Sequence, residues 1–204
     1  MNLLSIDDFK KMVSLALSEI SARADSLSEL DAITGDGDHG TAIVSALKAI
    51  NESVQTGNDF KTMLEGAGFN VMLATSGSTS TLLGAFFMGM SEPIEGTELN
   101  AEKVRIMFEA GLVSVQKNTK ASVGDKTMMD ALIPAVKAMN ETNTDDIKEI
   151  FKSGAKAALS GAEATVAMKA NFGRARNYGE RSIGSADAGA TSWAYMFDAF
   201  AKAL

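Results

Sequence analysis

The 204-residue chain has no cysteine, two prolines, one histidine and one tryptophan. The missing cysteine excludes disulfides, thiolate metal sites and a cysteine nucleophile. The two prolines, Pro93 and Pro134, leave long stretches without a helix breaker. With His39 as the only histidine, no Ser-His-Asp arrangement can be assembled from the scattered candidates. No uninterrupted apolar run reaches membrane-spanning length. Basic residues are also in deficit: 19 Lys and Arg against 26 Asp and Glu, a formal charge of −7. That balance argues against nucleic acid or an anionic membrane as a partner. Residues Met1 to Asp8 lack a basic region followed by an apolar core, so no signal peptide is expected and the expected address is cytoplasmic.

What the chain does have is alanine, leucine and methionine, a helix-forming composition. Ser5 with Asp8 resembles a capping box, and Phe9, Met12, Val13, Ala16, Leu17 and Ile20 follow at helical spacing. The mixed polar stretch from Ser21 to Leu30 reads as the end of a helix. Further helices are predicted over roughly 40–54, 59–75, 79–91, 100–117, 126–141, 144–169 and 189–203. Asn100 and Thr144 look like helix starts, each with an acid in the following turn. No strand alternation stands out. The expected fold class is therefore all-α, with eight helices in a single domain over residues 1–204. The methionines fall mostly on apolar stripes and read as core fillers.

The most informative segment runs Asp31-Ala-Ile-Thr-Gly35-Asp36-Gly37-Asp38-His39-Gly40-Thr41. Its glycines fit G-x-G-x-x-G, but no strand precedes them and acids occupy the interior. The Walker A spacing fails because the required lysine is missing and Asp36 and Asp38 take the interior of the loop. An EF-hand beginning at Asp36 would need glycine at Thr41 and glutamate at Leu47. What survives is a carboxylate metal loop. Crowded carboxylates resist ionising together, and a hard cation such as Mg²⁺ relieves that repulsion. Three aspartates outweigh one Mg²⁺, so two ions are expected, with positive charge to spare for a phosphate. A solvated acidic turn before the next helix is the plainer alternative.

Three more segments carry suitable chemistry. Thr75-Ser-Gly77-Ser78-Thr79-Ser-Thr81 places hydroxyls and amides at a helix start, suited to phosphate or to a plain Ser/Thr cap. Gly124-Asp125-Lys126-Thr127-Met128 offers a lysine that pairs either a phosphate or its neighbours Asp125 and Asp130. Lys169 to Gly184 concentrates cations, including Arg174, Arg176 and Arg181, in an otherwise acidic chain. Arginine's fork suits phosphate, although a solvated face explains such a run equally. His39 reads as a base, a phosphorylated intermediate, or a residue that fixes the aspartate loop or caps the following helix. Together the four segments hold the parts needed for phosphoryl transfer.

In their order these motifs, from Leu30 to the Asp187-Ala-Gly-Ala-Thr-Ser192 run, resemble the nucleotide-binding L subunit of the dihydroxyacetone kinase family. The Tyr178-x-Glu-Arg-Ser-Ile-Gly184 run looks more like its phosphotransferase-linked members. The resemblance implies an eight-helix antiparallel barrel with a nucleotide, ADP or ATP, at one end. It implies two Mg²⁺ ions on Asp31, Asp36 and Asp38. His39, Gly40, Thr41, Ala42, Ser78 and Thr79 match nucleotide-binding positions on the phosphate and metal side. Thr119 and Met128 match the positions that enclose the base, and Arg174, Asp187, Ala188 and Gly189 match further nucleotide contacts. Arg174 and Lys126 would assist transfer. The implied partners are a K subunit holding the ketose on a histidine and an M subunit whose phosphohistidine recharges bound ADP. In ATP-driven relatives the nucleotide exchanges instead. A homodimer is compatible with this reading, and so is a non-catalytic nucleotide sensor. Ser80-Thr81 replaces the family's Gly-Pro, Thr119 a glycine and Ala188 a proline; these departures bear on the base pocket and on the ketose, dihydroxyacetone or a four-carbon sugar such as erythrulose.

Overall fold

The computed structural model describes residues 1–74 and 77–204; Thr75 and Ser76, named above as part of a phosphate loop, lie outside the described residues. The first helix, α1 (Ile6–Ser21), opens on the expected capping box: Ser5 Oγ accepts the Asp8 amide, and the Asp8 carboxylate accepts the Ser5 amide. It does not run on to residue 30. Arg23 turns back, its guanidinium donating to Glu19 O at 2.7 Å and lying 5.1 Å from the Tyr195 ring centroid, while Ser26 Oγ donates to Arg23 O. The Ser21–Leu30 stretch is thus divided, and a separate helix, α2 (Ala24–Ala32), follows.

Beyond the aspartate loop come α3 (His39–Thr56), α4 (Phe60–Ala74), α5 (Ser78–Ser91), α6 (Ala101–Asn118), α7 (Met129–Glu141), α8 (Ile147–Ala164) and α9 (Ala188–Ala203), making nine α-helices among the described residues. Asn100 caps α6 as predicted, accepting the Lys103 amide at 2.9 Å. The cap of α8 is Asp146 rather than Thr144, whose hydroxyl instead accepts the Asp146 amide. Past α8 the chain tightens into a 3₁₀ turn over Thr165–Ala167, so that helix ends earlier than its apolar periodicity predicts.

Eight of the helices close a ring in which neighbours in space are α1, α3, α4, α5, α6, α7, α8, α9 and again α1, while α2 lies against α3 and α9. Consecutive ring helices joined by turns run antiparallel. The N-termini of α3, α5, α7 and α9 therefore share one end of the ring. At the other end two three-residue strands, β1 (Leu3–Ser5) and β2 (Glu98–Asn100), pair antiparallel with Leu4 opposite Leu99. Runs this short have no alternation to read, which is why the sequence showed no strand. Both leucines are fully buried.

Aromatic edge-to-face contacts knit the ring's interior. Phe86 meets Phe108 and Trp193 at 5.8 and 5.1 Å, and Phe108 meets Phe151 at 5.3 Å. Met12, Met63, Met90, Met107, Met129, Met139 and Met196 fill gaps around them, whereas Met72 is 43% exposed. Two close approaches set helix spacing. Pro134 in α7 has no N–H for Asp130 O, and Gly161 of α8 comes up against that carbonyl so tightly that a Cβ would collide with it. A Cβ on Gly40 would likewise strike Ala24 O, so α2 seats directly on the start of α3. Among the described residues no helix is long and apolar enough to cross a membrane.

Candidate functional site

The site grows from the α2–α3 connection. Asp31 lies in the last turn of α2, and its Oδ2 accepts the Gly37 amide at 2.9 Å, folding the loop back on itself. Asp38 is the N-cap residue of α3 yet makes no side-chain cap bond. Its carboxylate stays available, contrary to the usual habit of aspartate at that position. Asp31, Asp36 and Asp38 each offer an oxygen within 4.8 Å of the others, the only such cluster among the described residues. An all-oxygen set with unspent lone pairs suits a hard divalent cation. The residues present therefore fit the expected Mg²⁺.

Beside them opens a cavity of about 440 Å³. Its wall takes in the starts of four helices: His39, Gly77 to Thr79, Met128 with Met129, and Asp187 to Gly189. Helices α3, α5 and α7 have no side-chain cap hydrogen bond. The Gly40 amide of α3 and the Met129 amide of α7 donate to Ser28 Oγ and Thr127 Oγ1, but the positive ends of the helix dipoles converge on the same space, which favours an anion there even in an acidic chain. Arg174 completes the polar side, while Ala42, Leu82, Thr119, Ala121, Met128, Phe172 and Trp193 supply a less polar wall.

His39 Nε2 lies 2.9 Å from Ser192 Oγ, which is itself 3.0 Å from Gly189 O. The serine proton serves the carbonyl, so the imidazole donates from Nε2 and keeps a lone pair on Nδ1. Burial holds this histidine below its usual pKa, with Asp31 and Asp38 pulling the other way. Fixed against α9, it orients the start of α3.

Lys126 has a role that its sequence context did not show. It is 2% exposed, and its ammonium donates to Thr165 O at 2.9 Å and Ser185 O at 2.6 Å. It borders the cavity but ties the α8–α9 connection to the α6–α7 loop, instead of presenting a free cation. Its backbone sits at φ 59, a left-handed conformation costly for a side chain. Burial pushes its pKa down while Asp187 supports the charge. Asp130, buried at 1% exposure, accepts the Gly124 and Thr127 amides and shapes the same loop. That clamp delays the start of α7 to Met129, three residues beyond the predicted start.

Gly40 and Thr41 stand apart from the cavity wall. The Gly40 amide donates to Ser28 Oγ at 3.1 Å and Thr41 is exposed, so Gly40 serves the α2–α3 contact. The other matched positions, Ala42, Ser78, Thr79, Thr119, Met128, Arg174, Asp187, Ala188 and Gly189, all reach the cavity. Sequence reasoning missed Thr165, which lay inside a predicted helix. Its hydroxyl accepts the Asp187 amide at 2.9 Å and its carbonyl accepts Lys126. It also missed Leu82, Phe172 and Trp193, because an apolar side chain facing a cavity has the same signature as one facing the core.

Asp187 caps α9 by accepting the Ala190 amide at 2.7 Å. Burial pushes its pKa up to about 6; the Ala190 hydrogen bond and Lys126 oppose that rise, and Asp130 and Asp31 add to it. The neutral form is thus favoured in the folded state, so its stabilising effect is full below about pH 4 and is lost as pH rises through about 6. Asp187→Asn keeps a cap acceptor and removes the charge. Thermal unfolding of the metal-free variant is expected to show a gain of about 1–3 kcal/mol at pH 8 and none at pH 4. A gain of equal size at both pH values would show that charge burial is not its source.

A family model described as the DAK2 domain matches residues 33–202. The ADP-binding subunit DhaL of PEP-dependent dihydroxyacetone kinase 2 from Listeria innocua is 36% identical over 185 residues, covering 87% of this chain and 85% of that one. The ADP-binding subunit DhaL of the PEP-dependent dihydroxyacetone kinase of Escherichia coli is 31% identical over 193 residues, 90% of either chain. Among solved structures, the dihydroxyacetone kinase from C. freundii in complex with AMP-PNP and Mg²⁺ matches with a TM-score of 0.74 at 25% identity. That match covers 96% of this chain and 33% of the other.

Proposed function

Because the chain belongs to the DAK2 domain family, we propose that it is one nucleotide-binding domain, residues 1–204, of a multi-subunit kinase that transfers a phosphoryl group to a short-chain ketose. The observation that carries this reading is the meeting of three clustered aspartates with four helix starts at one cavity. Asp31, Asp36 and Asp38 would hold two Mg²⁺ ions, which when bound cancel phosphate charge. Amides and hydroxyls at Ser78 and Thr79 receive phosphate oxygens, while Thr119, Met128 and the nearby apolar wall enclose the base. His39 stays neutral and holds the start of α3 in place through Ser192. Arg174, exposed at the cavity edge, is the cation for charge developing on the phosphoryl group. Lys126 acts through position, by holding the loop that carries Met128.

The remaining titratable side chains at the cavity are committed within the fold: His39 to Ser192, Lys126 to two carbonyls and Asp187 to Ala190. The only histidine, His39, sits inside the aspartate loop and is poorly placed to carry a ketose as well, so the acceptor arrives on a K-type partner subunit. The Listeria innocua and Escherichia coli relatives are named ADP-binding subunits of PEP-dependent kinases, which supports ADP retained here as a cofactor and recharged by a phosphohistidine of an M subunit. Native mass spectrometry of the purified chain is expected to show bound ADP with two Mg²⁺. Added phosphorylated M subunit is then expected to convert the ADP to ATP. Release of nucleotide during purification, with turnover on free ATP and a K subunit, would replace the recharging scheme by an ATP-consuming one. Binding without transfer under both conditions would leave a sensor.

A further inference from the structure

Arg174 is more than an exposed cation at the cavity edge, because its Nη1 is ion-paired with Asp36 Oδ2. Asp36 belongs to the trio whose oxygens lie within 4.8 Å of one another. A guanidinium seated there relieves the like-charge repulsion that a divalent ion would relieve. We infer that Arg174 is a built-in competitor for the metal: it covers Asp36 in the metal-free site, and a divalent cation must displace it. Displacement frees the guanidinium for the phosphates that accompany the metal. The inference rests on the metal reading proposed above and adds an order of events to it.

The backbone is built for that exchange. Arg174 opens a 3₁₀ stretch (Arg174–Ser182) that follows Gly173 at φ 62 and is broken inside by a kink at Gly179, φ 57, both in the left-handed region that glycine enters without strain. The segment is pinned on either side. Asn171 donates through its amide and its Nδ2 to Asp125, and Gly184 N donates to Val166 O at 2.8 Å. Within it, buried Ser182 accepts the Ala170 amide and donates to Gly179 O, so the part from Gly173 to the Gly179 kink can re-aim the Arg174 side chain while the rest stays fixed. The ion pair is also weak enough to yield: the Arg174 side chain is 67% exposed and that of Asp36 46%. Such pairs shift an equilibrium by no more than about fivefold.

A competitor and a structural support predict opposite signs. Without nucleotide, Mn²⁺ binding followed by electron paramagnetic resonance is expected to be about two- to fivefold tighter in Arg174→Gln than in the wild type. Arg176→Gln removes the same charge from an exposed position two residues on and is expected to change Mn²⁺ affinity much less. Amide exchange of residues 174–182 is expected to speed up when Mn²⁺ is added to the wild type and to be fast already in Arg174→Gln. Unchanged or weaker Mn²⁺ binding in Arg174→Gln, or an equal effect from Arg176→Gln, overturns the inference. A wild-type chain that binds no Mn²⁺ at all would instead overturn the metal site itself, so the two failures are told apart.

Discussion

Asp38→Ala is expected to lower the affinity for Mg-ADP by about a hundredfold or more while the helical fold persists. The carboxylate at position 38 stands at the start of α3 without bonding to that helix, so its removal leaves no orphaned backbone group. It is exposed, and taking it away also relieves repulsion within the trio. Thermal stability of the metal-free protein should therefore stay within about 0.5 kcal/mol of the wild type or rise slightly. Binding should collapse, because Mg²⁺ demands a near-complete oxygen shell and the two remaining aspartates cannot neutralise what three did. Titration calorimetry with Mg-ADP, beside circular-dichroism melts, separates the two effects. Wild-type affinity in Asp38→Ala would end the metal assignment, whereas loss of fold would show that the loop has a stabilising part the contacts do not reveal. Asp36→Ala is expected to behave alike in binding and to free Arg174 as well.

The second large effect is expected at Lys126, and on stability first. Lys126→Met removes a buried ammonium that donates to two carbonyls, Thr165 O and Ser185 O, and leaves both without that donor. The cost is expected to be about 2–4 kcal/mol, tempered because the ammonium no longer has to be desolvated. The left-handed backbone at this residue adds a second reason: φ 59 is held against its intrinsic preference by what the side chain reaches. With that tie gone, the α6–α7 loop and the start of α9 lose a mutual support, and the close approach of Gly189 to Met128 at the cavity wall is no longer held. A fall in melting temperature together with weaker nucleotide binding is the expected signature. A phosphate-binding cation would act differently: its loss would lower the transfer rate with little change in melting temperature. Lys126→Arg tests the geometry, since a planar fork in a space shaped for one ammonium is expected to restore charge without restoring stability.

Some of this was legible along the chain and some was not. The Ser5–Asp8 box and the Asn100 cap were readable because capping is decided within one turn of helix. The amphipathic repeats were readable for the same reason, as was the aspartate cluster, whose members are separated by only a few residues. The break at Ala22–Arg23 escaped because it depends on Arg23 finding the Tyr195 ring, far along the chain. The strand pair escaped because Leu4 and Leu99 come together only when the ring closes.

The residues alone were enough to say which chemistry is available: oxygen ligands crowded on a glycine-rich turn, hydroxyls and amides before helices, and helices with one apolar face. Those are local properties, set by neighbours within a few positions. Folding assigned the work among those residues. Lys126 meets its carbonyl partners 39 and 59 residues away, Gly40 is consumed by α2, and Trp193 lies between core and cavity. Above all, four helix starts meet at one end because alternate helices in a closed antiparallel ring must point the same way. No single helix carries that field, and it arises only when the chain has gone round.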